Sequence, residues 1–225
     1  MQARTLMLVA MFASMLQLST ARGQDASSGT DTTAGQIIRV VNIPPPQTGL
    51  QKVAMQKGVL VTKNYVEVAT IAGEDDSNVQ LVAVQMVAGG EKAYGIAFCV
   101  QRNGRYARVA TSYVDENEID GLMNALDQIS RKQASGQATN TEFECTYQTR
   151  GDLTVGNVSN SGTRMLQVHA TQVVIPSGEM LMSMAHFRLA RVPELMTQIN
   201  AAKQVIARFK NGGADPAEAG ASGNK

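Results

Sequence analysis

The chain has two histidines, His169 and His186, and both lie in segments that predict adjacent β-strands. If Ser177 and Gly178 form a two-residue hairpin loop between these strands, His169 lies directly opposite His186. Three methionines then share the face of that pair: Met180, Met182 and Met184. Because cross-strand neighbours stand about 5 Å apart at Cβ, two imidazoles and a thioether could bind a soft metal such as Cu(I).

The alternative is that these side chains are structural. Sheet histidines usually form ordinary hydrogen bonds, and methionine stripes usually pack. An earlier hairpin around Asn103-Gly104 places Tyr94 opposite Tyr113, and the equivalent of Tyr113 in the later hairpin is His186. A planar ring at both equivalent positions favours structure over metal. The sequence therefore predicts no cofactor, with His169, Met184 and His186 as the alternative metal ligands.

The acidic residues form no recognisable catalytic or metal-binding motif. The cluster Glu74, Asp75 and Asp76 lacks the spaced ligands and closing glutamate of a calcium loop. Asp115 and Glu118 stand at the predicted start of a helix, where carboxylates cap the helix and favour its dipole. No nucleophile elbow or phosphate-binding loop occurs. The sequence predicts no catalytic residues, although an enzyme with a dispersed active site stays as an alternative.

The two cysteines, Cys99 and Cys145, allow either a disulfide or two buried thiols. Both alternatives stay open because sequence spacing does not determine the distance between the two residues.

Residues 1–21 are predicted to form a signal peptide. Arg4 precedes an apolar run from Leu6 to Leu18, and Ala21 suits cleavage. The run is shorter than the roughly 20 apolar residues that cross a bilayer. Cleavage removes Arg4 and takes the formal charge from +1 to zero, which argues against nucleic acid as a partner. We therefore expect a secreted or periplasmic protein without a membrane partner.

Turn signals divide the rest of the chain into two similar series, 57–134 and 139–210. Each series has four β-rich segments followed by helical periodicity, which predicts helices near 116–133 and 192–210. The predicted fold is α+β, with two β-β-β-β-α units and antiparallel sheets; one irregular α+β domain is the alternative. A flexible leader over 22–56, with a short strand and a proline-rich spacer, and a disordered tail over 211–225 flank the units.

This order of elements resembles the tandem β-β-β-β-α units of the Whirly and purine-rich-element-binding families, which bind single-stranded nucleic acid. The resemblance is one of topology over 57–210, and "QKGVLVTK" at 56–63 stands where the Whirly family has a lysine- and glycine-rich motif. It implies single-stranded nucleic acid as an alternative ligand. Separately, "SYVDENEIDGLMNALDQI" is similar to a signature of uncharacterised secreted bacterial proteins, which implies export.

The strands themselves indicate how such a protein could act. "VQLVAVQMV" is apolar on both faces and predicts a strand buried on both sides, whereas "VLVTKNYVEVATI" predicts a partly exposed strand. Unpaired sheet edges are templates for further strands, and "IIRVVNI" could cover one edge of its own sheet or of a neighbouring copy. We expect an exported, non-catalytic binding or assembly module that acts on a protein partner or a second copy through its β-sheet surfaces.

Overall fold

In the part of the chain that the structure describes, eight strands form two antiparallel sheets of four in consecutive order. The computed structural model describes residues 45–104, 107–134, 144–160, 163–174 and 179–212. The first sheet comprises β1 Val61–Ala72, β2 Ser77–Ala88, β3 Glu91–Arg102 and β4 Arg108–Asp115. The second comprises β5 Cys145–Gln148, β6 Leu153–Asn160, β7 Thr163–Val174 and β8 Glu179–Arg188. The predicted signal peptide, the "IIRVVNI" strand, the Ser177-Gly178 loop and the tail beyond residue 212 lie outside the described residues.

A helix follows each sheet, as the helical periodicity predicts. A 3-10 turn, Glu116–Glu118, leads into α2, Ile119–Ala134, and a second turn, Leu189–Arg191, leads into α3, Val192–Lys210. Pro193 lies in the first turn of α3, where its missing N–H costs no hydrogen bond. The predicted α+β fold with two β-β-β-β-α units is confirmed.

The two helices are exchanged between the units. α3, which follows the second sheet, packs on β1, β2 and β3 of the first, while α2 packs on β5 and β6 of the second. Ion pairs join Lys203 and Lys210 of α3 to Asp120 and Glu116 at the start of α2. One continuous core therefore contains the inner faces of both sheets and the apolar faces of both helices. Neither unit completes its core with its own helix.

The two sheets also meet where β4, an edge strand of the first sheet, approaches β7 and β8 of the second. Pairing between β6 and β7 ends at Ala170. The next residue is Thr171. The hydroxyl of Ser112 on β4 accepts from the backbone N–H of Thr171 at 3.1 Å and donates to the backbone carbonyl of Thr171 at 3.3 Å. This edge of the first sheet is therefore occupied by the second.

A short helix that the sequence analysis did not predict covers the outer face of the first sheet. This helix, α1, spans Gly49–Ala54 and buries Leu50 and Val53 against β2, β3 and β4. The prediction of a flexible leader over 22–56 was wrong for these residues. The missed signal was a capping box: Thr48 accepts from the backbone of Gln51, whose side chain accepts from the backbone of Thr48. β2 is buried on both faces, as its composition predicts.

Candidate functional site

The histidines and methionines of the second hairpin share the outer face of the second sheet. β7 and β8 alternate, so that Leu166, Val168, Ala185 and Phe187 enter the core. The opposite face presents Gln167 and His169 from β7, and Met182, Met184 and His186 from β8. We call these five residues the histidine–methionine face. Met182 is 46% exposed, and Met180 beside it is 60% exposed.

The predicted pairing of His169 with His186 was wrong. His169 lies opposite Met184, and His186 lies opposite Gln167. The strands pair as far as Val174 with Glu179, so the register differs by two residues from the one that a Ser177-Gly178 loop predicts. Because side chains alternate with a period of two, this shift leaves both histidines on the same face. The structure therefore brings the three alternative metal ligands together in another register.

Two potential ligand atoms converge on the side-chain amide of Gln167. Its Nε2 donates to the sulfur of Met184 at 2.8 Å and lies 3.3 Å from Nε2 of His186. The sulfur and the imidazole nitrogen are thus both directed at one polar atom, and His169 is the direct cross-strand neighbour of Met184. Gln167 did not stand out in the sequence, because its role depends on the register.

The turn between β1 and β2 holds His186 from the other side. The backbone N–H of Glu74 donates to the carbonyl of His186 at 2.7 Å, and the carboxylate of Asp75 lies 4.0 Å from Nδ1 of the ring. Glu74 also pairs with Arg188 at 3.3 Å. Asp75 adopts a left-handed backbone, with φ of 54°. The acidic cluster that fails as a calcium loop therefore positions a histidine.

Tyr94 and Tyr113 do not pair, so the predicted similarity between the two hairpins was wrong. Tyr113 lies opposite Ala97, three residues from the expected partner, and an odd shift places the two rings on opposite faces of the sheet. Tyr94 packs against the main core and Tyr113 against the α1 side. The argument that these equivalent positions require a ring for structural reasons therefore fails.

The two cysteines are free thiols in different sheets, so the structure contains no bridge between them. Cys99 lies in β3, and burial raises the pKa of its thiol, opposed by a hydrogen bond from Thr111 and reinforced by the carboxylate of Glu67. Burial also raises the pKa of Tyr113. A thiol with a raised pKa is a weak nucleophile at neutral pH.

Cys145 lines a cavity of about 210 Å³ between α2 and β5. Tyr147, Gly121 and Gln128 contribute to its walls. This volume lies below the range of about 300–1,000 Å³ that is usual for small-molecule sites. The lining supplies a thiol, a phenol and side-chain amides, and it supplies no carboxylate or imidazole for acid–base chemistry.

The carboxylates at the start of α2 join the two units. Asp115 was expected to cap its own helix, but its side chain accepts from the backbone of Gly49 at 2.6 Å and of Leu50 at 3.2 Å, at the start of α1. Arg150 of the second unit pairs with Asp115 at 3.5 Å and with Glu118 at 3.3 Å. These groups are engaged in structural contacts.

β1 is an edge strand of the first sheet with an exposed outer side. Lys63, Tyr65 and Glu67 alternate along it on the outer face, and Tyr65 is 49% exposed. Neither Lys63 nor Glu67 forms an ion pair with another described residue, and Glu67 accepts a hydrogen bond from Thr70. This charge order is readable in the sequence, but its position at a sheet edge is not.

Comparisons with known proteins do not assign the chain to a family, since no family model and no curated protein matches it. Within the described part of the chain, the helices are all too short or too polar to cross a membrane.

Proposed function

We propose that this protein is an exported, non-catalytic assembly module that pairs with a second copy of itself through the edge of β1. The observation that carries the proposal is the side-chain order Lys63, Tyr65, Glu67 on an exposed edge strand. An exposed edge is a template for another strand, and the usual protection is a lone charge such as lysine. In β1, Lys63 is followed four residues later by the opposite charge of Glu67.

Two antiparallel copies of β1, related by a two-fold axis at Tyr65, bring these charges together. Lys63 of each copy then stands opposite Glu67 of the other, on the same face of a continuous eight-stranded sheet. Cross-strand pairs of opposite charge contribute about 0.2–1 kcal/mol each. A register that places Lys63 opposite Lys63 is disfavoured by a similar amount, so the charges select one pairing.

The geometry of β1 also limits the assembly to two copies. The register with β2 shifts between Glu67 and Ala69, which marks a bulge just beyond Glu67, and pairing with β2 resumes from Ala69 to Ala72. A two-fold interface uses the same surface on both copies and therefore closes. The opposite edge of the sheet, at β4, is covered by side-chain and backbone contacts with β7 and β8.

The test is a charge swap on the full chain, measured by sedimentation velocity over a range of concentrations. Lys63→Glu replaces two attractive pairs per dimer with two repulsive pairs, so we expect about 2 kcal/mol of weakening, or roughly a 30-fold rise in Kd. Glu67→Lys should weaken the dimer equally. The double variant, Lys63→Glu with Glu67→Lys, should restore it. Lys92→Glu, an exposed charge on β3, is the matched control.

A monomer at every concentration would refute the proposal. So would a dimer that the double variant fails to restore, since the pairing of Lys63 with Glu67 would then not exist. A dimer that survives the single variants but is lost on deletion of 36–44 would assign the interface to the leader segment. Circular dichroism of each variant establishes that the fold is retained.

A further inference from the structure

We infer that the histidine–methionine face binds one soft monovalent metal ion, Cu(I), through His169, Met184 and His186. This inference rests on the second sheet and is independent of pairing through β1. Thioether and imidazole ligands together favour Cu(I), whereas carboxylate and carbonyl oxygens favour harder cations.

The amide of Gln167 occupies the point at which a metal would sit. Its Nε2 lies 2.8 Å from the sulfur of Met184 and 3.3 Å from Nε2 of His186. Because the sulfur of Met184 accepts from this amide nitrogen and Nε2 of His186 lies within hydrogen-bond distance of it, both atoms face one position, as coordination to a shared ion requires. When the Gln167 amide rotates away from this position, the sulfur of Met184 and Nε2 of His186 already face the ion.

His186 has the surroundings of a metal-binding histidine. Its other ring nitrogen, Nδ1, faces the carboxylate of Asp75 at 4.0 Å, which places a negative charge on the side of the ring away from Nε2, as second-shell carboxylates of metal-binding histidines do. The hydrogen bond from Glu74 to the carbonyl of His186 holds the backbone in place. The side chain is 21% exposed, so it is shielded yet reachable from solvent.

The third ligand and an entry path come from the same face. His169 is the direct cross-strand neighbour of Met184, and directly opposite residues stand about 5 Å apart at Cβ. Met182 and Met180 continue along the strand with 46% and 60% exposure. Successive thioethers at every second residue thus lead from solvent to Met184, and a flexible thioether can exchange a soft ion with its neighbour.

The binding test uses Cu(I) under anaerobic conditions in competition with a chromophoric Cu(I) chelator, on a Cys99→Ser, Cys145→Ser background. Thiolates bind Cu(I) strongly, and this background removes them as an alternative site. We expect one equivalent of Cu(I) per chain. Met184→Leu, which nearly conserves volume, and His186→Gln should each weaken binding at least 10-fold. Met55→Leu, at a methionine 38% exposed in the other half of the molecule, is the matched control and should leave binding unchanged.

A second measurement applies to the unaltered chain. With the methionine methyl groups labelled with ¹³C, addition of Ag(I), a redox-inert soft ion, should shift the Met184 resonance and leave that of Met55 in place. Retention of full affinity in Met184→Leu and His186→Gln, or loss of all binding on removal of the cysteines, would overturn the inference. Equal shifts at Met55 and Met184 would show non-specific thioether binding and would also overturn it.

Discussion

Asp115 offers the sharpest test of how the two units are held together, and we expect Asp115→Ala to lower the free energy of unfolding by about 3 kcal/mol. The carboxylate accepts from the backbone N–H groups of Gly49 and Leu50, while Thr48 accepts from that of Gln51. These three contacts satisfy the N–H groups of the first turn of α1. Loss of a helix cap costs about 0.5–2 kcal/mol, and a hydrogen bond to a charged group contributes about 1.5–3 kcal/mol.

The ion pair with Arg150 adds little to that sum. Arg150 is 49% exposed, so its attraction to Asp115 at 3.5 Å is screened by solvent, and exposed pairs contribute about 0–1 kcal/mol. Asp115→Asn keeps one acceptor oxygen and loses the other, so it should cost about half as much as the alanine variant. Glu116→Ala, which removes only an exposed pair with Lys210, is the control and should cost less than about 0.5 kcal/mol.

Urea unfolding followed by far-ultraviolet circular dichroism measures these differences, and 3 kcal/mol corresponds to a fall in Tm of about 6–12 °C for a domain of this size. Hydrogen exchange at the amides of Gly49 and Leu50 provides the local measurement, because α1 could open before the sheets unfold. An alanine variant within 0.5 kcal/mol of the wild type, with unchanged exchange at both amides, would refute the assigned role of Asp115.

Two further predictions concern close packing and buried acids. Gly151→Ala should lower the free energy of unfolding by about 1–3 kcal/mol, because the new Cβ would overlap the backbone carbonyl of Tyr113. Gly49→Ala meets only ordinary contacts and should be neutral. Equal urea midpoints for the two variants would contradict this. Cys99 has a raised pKa in the fold, so its thiol ionises at lower pH in the unfolded chain than in the folded protein. The free energy of unfolding should therefore fall as pH rises through 9.0, the ordinary pKa of the thiol. The same dependence of stability on alkaline pH in Cys99→Ser would contradict that assignment.

The strands and the two long helices were predictable because their signals are local. Burial on one face produces alternation in β5, where Cys145 and Tyr147 face the core between exposed Thr146 and Gln148. The apolar spacing from Ile119 to Ile129 marks one helical face, and those residues are buried. Such patterns depend only on neighbours in sequence.

Hairpin registers were not predictable, because they depend on loop length. Asn-Gly and Ser-Gly pairs predict two-residue loops, but β3 and β4 pair only as far as Arg102 with Arg108, and β7 and β8 as far as Val174 with Glu179. The effect on which residues share a face depends on whether the register shift is odd or even. An odd shift separates Tyr94 from Tyr113 across the sheet, while an even shift keeps His169 and His186 on one face. His169, Met184 and His186, which the sequence named only as alternative metal ligands, therefore share one face, although the predicted pairing of the histidines was wrong.

The exchange of helices explains where function can reside in this fold. α2 and α3 each carry one apolar face, and each packs that face on the sheet of the other unit. The inner faces of both sheets are therefore covered. α1 covers part of the outer face of the first sheet. The described surfaces that present chemistry are therefore the edge of β1 and the outer face of β7 and β8. These two surfaces belong to different sheets. The variants at Lys63 and Glu67 therefore test a property separate from the one tested by the variants at Met184 and His186. Failure of one proposal leaves the argument for the other intact.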